Sequence, residues 1–307
     1  MSDPHDAAQV VELLIVGGES DPNTRRVADQ AAIRGVDFAI VDTDTGAAEQ
    51  IQWSFSEPSL LIGSQRFVPE SLFLRHNVFS PDGGPAPPPS GNSTSTHHIM
   101  REYAQAWPNI RILNRRVLGH ANSKSANLAL ATQFGFDVPD SVVVTASAPV
   151  PVGFDTEHAI AKPLFGGAHA QHADEFLTAA RQTPSLAPQF LQRRLNGHNV
   201  RVFVVGGKTL AFHIDSDRLD YREERANVVH HIATPADLEE RCIAMADNIG
   251  FDYCAFDFRG TDNFEGMHFL EVNSFPMFVR FDMECQNQLV DQMLTVILKR
   301  QIIEPNA

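Results

Sequence analysis

Three oxygen-bearing side chains lie in or directly after two apolar stretches near the C-terminus, Tyr253 to Phe258 and Met267 to Val272. The turn-rich segment between them, GTDNFEG, predicts that the two stretches form an antiparallel hairpin. Glu271 and Asn273 alternate along the second strand and therefore share one face of the sheet, and Asp257 can stand beside them on the neighbouring strand. Two carboxylates and an amide are hard oxygen ligands, which suit Mg²⁺ when its other ligands come from substrate phosphates.

The alternative for such a strand is an ordinary solvated sheet face. Glu271, however, lies within FLEVN, where Phe269, Leu270 and Val272 surround it. An unpaired charge in apolar surroundings costs much free energy. The pattern therefore favours a metal ligand over a solvated acid.

Two lysines upstream fit the same chemistry. Lys124 lies near the start of a predicted helix, and Lys162 ends a predicted strand. Either alone is most often a solvated lysine, but two ammonium groups and an oxygen triad together suit a polyphosphate whose oxygens Mg²⁺ bridges. Gly166 and Gly167 would let backbone amides close over the phosphates.

Two arginines are candidates for binding an anionic substrate. Arg201 begins an otherwise apolar strand, and Arg222 follows a polar segment. An arginine fork matches a carboxylate or a phosphate with two parallel hydrogen bonds. For the neighbouring Arg218 and Arg225, pairing with nearby acidic residues at the surface is the better interpretation.

Length and composition bound the class of protein. The 307 residues suit two or three compact units, and 43% hydrophobic with 20% charged residues is an ordinary globular balance. The net charge of −14, from 24 basic and 38 acidic residues, argues against a nucleic-acid partner or an anionic membrane surface. The polar N-terminus and the lack of a run of about 18 apolar residues predict neither a signal peptide nor a membrane span.

The cysteines and histidines lack the spacing of a metal motif. Three cysteines, an odd number, predict reduced thiols in a cytoplasmic protein: Cys242, Cys254 and Cys285. The 13 histidines include the pairs His97-His98 and His230-His231, without a HExxH array. We expect these pairs on the surface or in loops, with a smaller chance that one contacts substrate.

The N-terminal part has the alternation of an open α/β sheet. A strand from Val10 to Val16, a helix from Thr24 to Arg34 capped by Thr24 or Asn23, and a strand from Val36 to Val41 form a βαβ unit. Gly17-Gly18 lacks the third glycine of a dinucleotide site, so a tight turn is favoured. The proline, glycine and serine content of residues 80–96 predicts a mobile surface loop.

The rest of the chain mixes helices with strands. A helix is predicted from His97 to Trp107, a capped helix from Ser123 to Phe134, and another helix from Pro235 to Ile249. Strands from Asn199 to Val205 and from Thr209 to Ile214 are predicted to form a hairpin about two glycines. A final helix is predicted from Glu284 to Arg300.

Taken in order, several motifs resemble those of one enzyme family. They are SK at Lys124, AKPLFGG, LQRRLNGHNVR, LDYR, DFR and FLEVNSFP. Together they resemble the ATP-grasp carboxylate-amine ligases, in particular the branch with ribosomal-protein glutamate ligase and the microviridin-type peptide cyclases. The resemblance covers roughly residues 110–300, and its most specific part is DFR with LEVN at the right separation.

The resemblance implies an ATP-grasp fold of mixed α/β (α+β) class. The N-terminal open α/β sheet would form a pre-ATP-grasp domain over residues 1–114. A central subdomain over residues 115–190 and a C-terminal subdomain over residues 191–307, which carries the Mg²⁺ site, would clamp the nucleotide between them.

The resemblance also implies roles for individual residues. The nucleotide phosphates would be bound by Lys124, Lys162, Gly166 and Gly167. The hinge whose backbone meets the adenine would be Gln192, Arg193 and Leu195. The arginines around the transferred phosphate and the acyl group would be Arg201, Arg222 and Arg259. The Mg²⁺ ligands would be Asp257, Glu271 and Asn273.

The activity that the resemblance implies uses ATP and Mg²⁺. A carboxylate is phosphorylated to an acyl phosphate, an amine displaces phosphate, and ADP remains. Positioning and charge stabilisation are then sufficient, so the lack of a GxSxG or a paired Cys-His signature is expected. Two positions depart from the family pattern: Arg193 stands where an acid is common, and Asn199 where an aspartate is common.

The partners predicted are a small carboxylate and an amine. The short stretch between Lys162 and Gln192 favours an amino acid or a short peptide over a peptide with a leader. A homodimer is the default expectation. Two other functions stay open, namely a small-molecule kinase on the same fold and a non-catalytic nucleotide-binding module. The acidic triad and both lysines argue against the module.

Overall fold

The computed structural model describes residues 8–44, 50–75, 91–117, 121–145, 148–164, 170–182, 189–216, 228–260, 264 and 266–298. Gly166, Gly167 and Arg222 lie outside these ranges, so their predicted roles stay predictions. The chain divides into two compact units. The first comprises Met1–Arg116, Gly250–Tyr253 and Met277–Ala307, and the second comprises Val117–Ile249 and Cys254–Pro276. The predicted boundaries of the three domains stay predictions.

The described strands and helices are numbered along the chain. The strands are β1 (Gln9–Val11), β2 (Leu13–Gly17), β3 (Phe38–Asp42), β4 (Ile51–Trp53), β5 (Leu60–Ile62), β6 (Gln65–Pro69), β7 (Ser71–Leu74), β8 (Arg111–Ile112), β9 (Ser141–Val144), β10 (Ala159–Pro163), β11 (Gln171–His172), β12 (Gln189–Arg193), β13 (His198–Val205), β14 (Lys208–Asp215), β15 (Val228–Ile232), β16 (Tyr253–Gly260) and β17 (His268–Asn273). The helices are α1 (Pro22–Ile33), α2 (Gly91–Ala106), α3 (Lys124–Gln133), α4 (Ala173–Gln182), α5 (Ala236–Ile249), α6 (Val279–Glu284) and α7 (Gln288–Leu298).

The first unit contains the predicted open sheet. Its strands run in the order β3-β2-β7-β8, and all neighbouring pairs are parallel. A second small sheet, β1-β6-β5-β4, packs into the same apolar core as this sheet. Helix α1 begins earlier than predicted: Asp21 is the N-cap, its side chain accepts a hydrogen bond from the backbone N–H of Asn23, and Pro22 is the first helical residue.

Helix α2 overlaps the predicted loop over residues 80–96. The loop prediction is wrong for residues 91–96, which are helical, while residues 80–90 lie outside the described ranges. Thr96, Met100, Tyr103 and Ala104 are buried at intervals of three and four residues. This stripe lies on one face of a helix, and all of it except Thr96 belongs to the helix predicted from His97 to Trp107, which is confirmed over residues 97–106.

The predicted final helix corresponds to α7, which begins at Gln288 rather than at Glu284, while the short helix α6 ends at Glu284. Between α6 and α7 the backbone of Gln286 and Asn287 has φ of 53° and 71°, which ends the first helix. The buried Asp282 holds the break, because its carboxylate accepts hydrogen bonds from the backbone N–H of Val290 at 2.9 Å and from Nε of Arg26 at 2.7 Å. Arg26 lies 256 residues from Asp282 in sequence and Val290 only 8, so the pattern of residues 284–300 does not reveal the Arg26 contact.

The second unit contains two sheets. The smaller has the order β11-β10-β12-β9 with antiparallel pairs, and the larger has the order β15-β14-β13-β16-β17. The predicted hairpin of β13 and β14 is confirmed, and its turn places Gly206 and Gly207 at φ of 55° and 77°, where a side chain would be strained. None of the described helices is both long and apolar enough to cross a membrane.

Candidate active site

The predicted oxygen ligands meet on one face of the larger sheet. Asp257 on β16 lies directly opposite Glu271 on β17. Nδ2 of Asn273 donates a hydrogen bond to Oδ2 of Asp257 at 3.0 Å and another to Oε1 of Glu271 at 3.3 Å. Asp257 is buried, with 8% of its surface exposed. The hairpin prediction and the grouping of these three side chains are therefore confirmed.

A β-bulge in this hairpin separates the polar face from the apolar face. The register shifts after Asp257, so Phe258 pairs with Phe269 and Leu270 is the extra residue on β17. Strict alternation would place Phe269 on the same face as Glu271. The bulge instead turns Phe269 into an aromatic cluster, where its ring centroid lies 5.9 Å from that of Phe136.

Arg201 reaches the same face from the adjacent strand β13. Its Nε and Nη2 donate hydrogen bonds to the two carboxylate oxygens of Asp257 at 2.6 and 2.7 Å. Both residues are buried, so the ion pair is little screened by water. A carboxylate has about four lone-pair sites, and Asp257 uses one at Oδ1 for Arg201 and two at Oδ2 for Arg201 and Asn273.

The donor set of this face fits Mg²⁺. Asp257 and Glu271 are charged oxygen donors at adjacent register positions. Rotation of the Asn273 side-chain amide by about 180° exchanges the positions of Nδ2 and Oδ1. The site then offers three oxygen ligands. Mg²⁺ prefers such ligands, usually one or two carboxylates with water and substrate phosphates.

The two predicted phosphate lysines meet at the end of β10. Nζ of Lys162 donates to Oε1 of Gln192 at 3.1 Å, and Nε2 of the buried Gln192 donates to Oγ of Ser141 at 3.1 Å. Nζ of Lys124, at the start of α3, donates to the carbonyl oxygen of Pro163 at 3.1 Å. The structure thus brings two ammonium groups to neighbouring residues of one strand.

A pair of residues that the sequence reasoning missed connects the lysines to the oxygen ligands. Nδ2 of Asn122 donates to Oγ of Ser274 at 2.8 Å, and the backbone N–H of Ser274 donates to Oδ1 of Asn122 at 3.2 Å. Asn122 precedes Ser123, which caps α3, and Ser274 directly follows Asn273. The only sequence signal for this contact is that each residue adjoins a predicted functional position.

Arginines form a positive group beside the ligands. Burial lowers the pKa of Arg259, and the neighbouring charge of Arg194 lowers it further, but a guanidinium remains charged at any physiological pH. Nη2 of Arg193 lies 3.3 Å from Nε2 of His268. Sequence reasoning singled out Arg259 and Arg193, and it included Arg194 only as part of the hinge segment from Gln192 to Leu195.

The predicted adenine hinge lies at the end of β12. Gln192 and Arg193 are the last residues of this strand, and Leu195 follows in the connection to β13. Asn199, two residues before Arg201 on β13, is buried, and its Nδ2 has no hydrogen-bond partner among the described residues. The position that departs from the family pattern therefore offers a donor on the same face as Arg201.

Comparisons with known proteins place the fold of this chain among known ones. Residues 164–297 match the family described as the RimK-like ATP-grasp domain. The comparison with curated proteins finds no match.

Similar solved structures cover nearly the whole chain. One is ATP-grasp ligase PsnB complexed with a phosphomimetic variant of its minimal precursor, Mg and ADP, with 20% identity and a TM-score of 0.70 over 94% of this chain and 99% of that chain. Another is macrocyclase MdnC from Microcystis aeruginosa MRC bound with precursor peptide MdnA, with 18% identity and a TM-score of 0.69 over 93% and 98%. A third is D-alanine-D-alanine ligase from Bacillus anthracis, with 14% identity and a TM-score of 0.59 over 95% and 98%.

The chain therefore has the ATP-grasp fold. More particularly, residues 164–297, which contain all three predicted oxygen ligands, are similar to the RimK-like ATP-grasp domain. The resemblance inferred from the motifs and the predicted α/β fold class are both confirmed.

Proposed function

We propose that this protein is an ATP-dependent, ADP-forming carboxylate-amine ligase that makes an amide bond through an acyl phosphate. The observation that carries this proposal is the hydrogen-bonded group of Arg201, Asp257, Asn273 and Glu271 on one face of an ATP-grasp sheet. Removing two charges of opposite sign from water costs free energy, and their mutual attraction often only balances that cost. A buried ion pair is therefore weak evidence for stability. The two carboxylates of this group are the hard oxygen ligands that Mg²⁺ prefers.

Some residues of the site would bind the cation, and others would bind the phosphates. Mg²⁺ with ATP would supply the phosphoryl group and neutralise the charge that develops as it is transferred. Asp257, Glu271 and Asn273 would hold the cation, and Lys124 and Lys162 would hold phosphate oxygens. The last two lie on neighbouring elements of the second unit, so their positions are set by the same fold.

The two chemical steps need charge stabilisation and positioning of the substrates rather than a protein nucleophile. The substrate carboxylate attacks the terminal phosphorus and becomes an acyl phosphate, with ADP as the leaving group. The amine then attacks the acyl carbon and expels phosphate. Arg259 and Arg194 carry the positive charge that an anionic carboxylate and its phosphorylated form require. Arg201 would be held in place by both oxygens of Asp257.

A peptide or amino acid is the substrate class that we propose. The MdnC structure contains a precursor peptide, and the PsnB structure a minimal precursor. Such neighbours support a carboxylate and an amine borne by amino-acid units. The sequence itself favours an amino acid or a short peptide, because little chain separates Lys162 from Gln192. Cytoplasmic localisation and a homodimer remain predictions.

The test is release of ADP across an array of amino acids and dipeptides, followed by isotope transfer. With an accepted carboxylate labelled with ¹⁸O, the ligase must deliver one ¹⁸O atom to inorganic phosphate, and this release must depend on the amine. A stable phosphorylated product would instead establish the kinase. Binding of ATP without turnover by any pair would establish the binding module, and Glu271→Gln serves as the inactive control throughout.

A further inference from the structure

Three histidines and an aspartate lie together on adjacent strands of the larger sheet. His198 belongs to β13, His213 and Asp215 to β14, and His230 to β15. In the register, His213 is opposite Val200 on one side and His230 on the other. Arg201 is opposite Phe212, one position away, so the histidines face away from the candidate active site.

The side chains of this histidine cluster lie close to one another. Ligand atoms of His198, His213 and Asp215 lie within 4.8 Å of one another. Nδ1 of His213 is 3.2 Å from Oδ1 of Asp215, and Nε2 of His230 is 3.3 Å from Oδ2 of the same carboxylate. The ring centroids of His198 and His213 are 4.6 Å apart.

Ordinary pairing explains only part of this geometry. A single histidine beside a carboxylate is a common surface contact, but one carboxylate cannot neutralise three imidazolium ions. Neutral imidazoles, in contrast, offer nitrogen lone pairs. Two imidazoles and one carboxylate form the donor set found in three-ligand zinc sites, where a fourth position holds water or another group.

We propose that His198, His213 and Asp215 bind a divalent transition-metal ion of the zinc type. His230 acts as a positioning residue, because it contacts the second oxygen of Asp215 and so orients the first. The site differs from the oxygen triad in chemistry as well as in face, since imidazole nitrogen suits Zn²⁺ and not Mg²⁺. The ion would join β13 to β14, and β13 also carries Arg201.

The full-length chain, prepared without a histidine tag, provides the test. Zn²⁺ is titrated in excess Mg²⁺ against a chromogenic chelator, which keeps the oxygen triad from contributing. The expected result is one equivalent of Zn²⁺ per chain for the native protein. Asp215→Asn should weaken this binding at least ~10-fold, and His230→Asn should weaken it by up to ~10-fold.

His231→Asn is the matched control. His231 neighbours His230 on β15 and is likewise exposed, but it pairs with Phe212 and so lies on the opposite face. It should leave Zn²⁺ binding unchanged. Co²⁺ in place of Zn²⁺ should give visible absorption bands of low-coordinate, nitrogen-bound cobalt in the native protein and in His231→Asn, but not in Asp215→Asn. Thermal unfolding without metal verifies that each variant is folded.

Several results would overturn the proposal. These are no stoichiometric Zn²⁺ binding by the native chain, undiminished binding by folded Asp215→Asn, or equal loss in His231→Asn. The last would indicate scattered surface histidines rather than a site.

Discussion

Asn122 and Ser274, 152 residues apart in sequence, hold each other through two reciprocal hydrogen bonds. One member precedes the helix that begins with Lys124, and the other follows the strand that ends with Asn273. The contact therefore links a phosphate lysine to a cation ligand. Neither residue needs to touch substrate for this link to matter.

Removing this link should affect nucleotide binding more than stability. Asn122→Ala loses both hydrogen bonds, at a cost of about 1 to 3 kcal/mol in the free energy of unfolding. A small displacement of Lys124 should raise KM for ATP and lower kcat/KM by roughly 10- to 100-fold. Steady-state kinetics at several ATP concentrations measure this. Ser125→Ala, at an exposed position on the same helix, should leave both constants unchanged.

Loss of the charge on Glu271 should nearly abolish turnover. Glu271→Gln keeps the shape of the side chain and an acceptor for Nδ2 of Asn273, but it removes one negative ligand from the cation site. We expect ADP formation to fall by at least about 100-fold with an unchanged melting temperature in the absence of Mg²⁺. The stabilisation by Mg²⁺ with ADP should also disappear. Glu240→Gln, at an exposed position on α5, is the control, and ADP formation by this variant should equal that of the native protein.

Lys162 should contribute to both ATP binding and phosphoryl transfer. Lys162→Ala removes the ammonium that donates to Gln192 and, in our proposal, binds phosphate oxygens. ADP formation should fall at least about 100-fold and KM for ATP should rise, because charge stabilisation of the transferred phosphoryl group is lost. Lys208→Ala, an exposed lysine at the turn between β13 and β14, should retain normal kinetics. Equal kinetics for the two variants would contradict the assignment of Lys162.

The Arg201-Asp257 pair should couple stability to activity. Asp257→Asn leaves a buried guanidinium without its counter-charge, so the unfolding free energy should drop by roughly 3 to 5 kcal/mol. The double variant Arg201→Gln with Asp257→Asn should recover part of this loss, because no buried charge is then left unpaired. Both variants should lack ADP formation. Urea unfolding of the four proteins of the cycle measures the coupling, and additive losses would show that the two residues do not interact.

Asp252 should make stability depend on pH. Burial raises the pKa of Asp252, although a hydrogen bond from the backbone N–H of Asn114 and the charges of Arg116 and Arg115 lower it in part. A folded pKa above the unfolded value means that the folded state binds the proton more tightly. Stability therefore falls as pH rises from the unfolded pKa, about 3.9, to the raised folded value, and is then constant. Asp252→Asn should remove this fall, so urea unfolding of the variant and the native protein at a series of pH values should diverge above about pH 4.

Local patterns predicted the hairpins and the parallel N-terminal sheet because alternation and turn residues act within a few positions of each other. They also grouped Asp257, Glu271 and Asn273, because register and period determine which side chains of a hairpin share a face. They predicted most of α2 as a helix but assigned its first residues, 91–96, to a loop because the composition there is loop-like. They also began the final helix at Glu284 instead of Gln288, because the contacts of Asp282 with Arg26 and Val290 lie outside the pattern.

The sequence by itself determined the kind of chemistry, since the motifs around Lys124, Lys162, Asp257 and Glu271 already name phosphate and cation ligands. Only the tertiary structure decided that Arg201 forms an ion pair with Asp257 and that a bulge turns Phe269 away from the ligands. It also brings three histidines from separate strands together at Asp215. The chemistry that a side chain can do depends on its residue type, which a short motif already contains. Contacts follow from packing between segments far apart in the chain, and no local pattern records them.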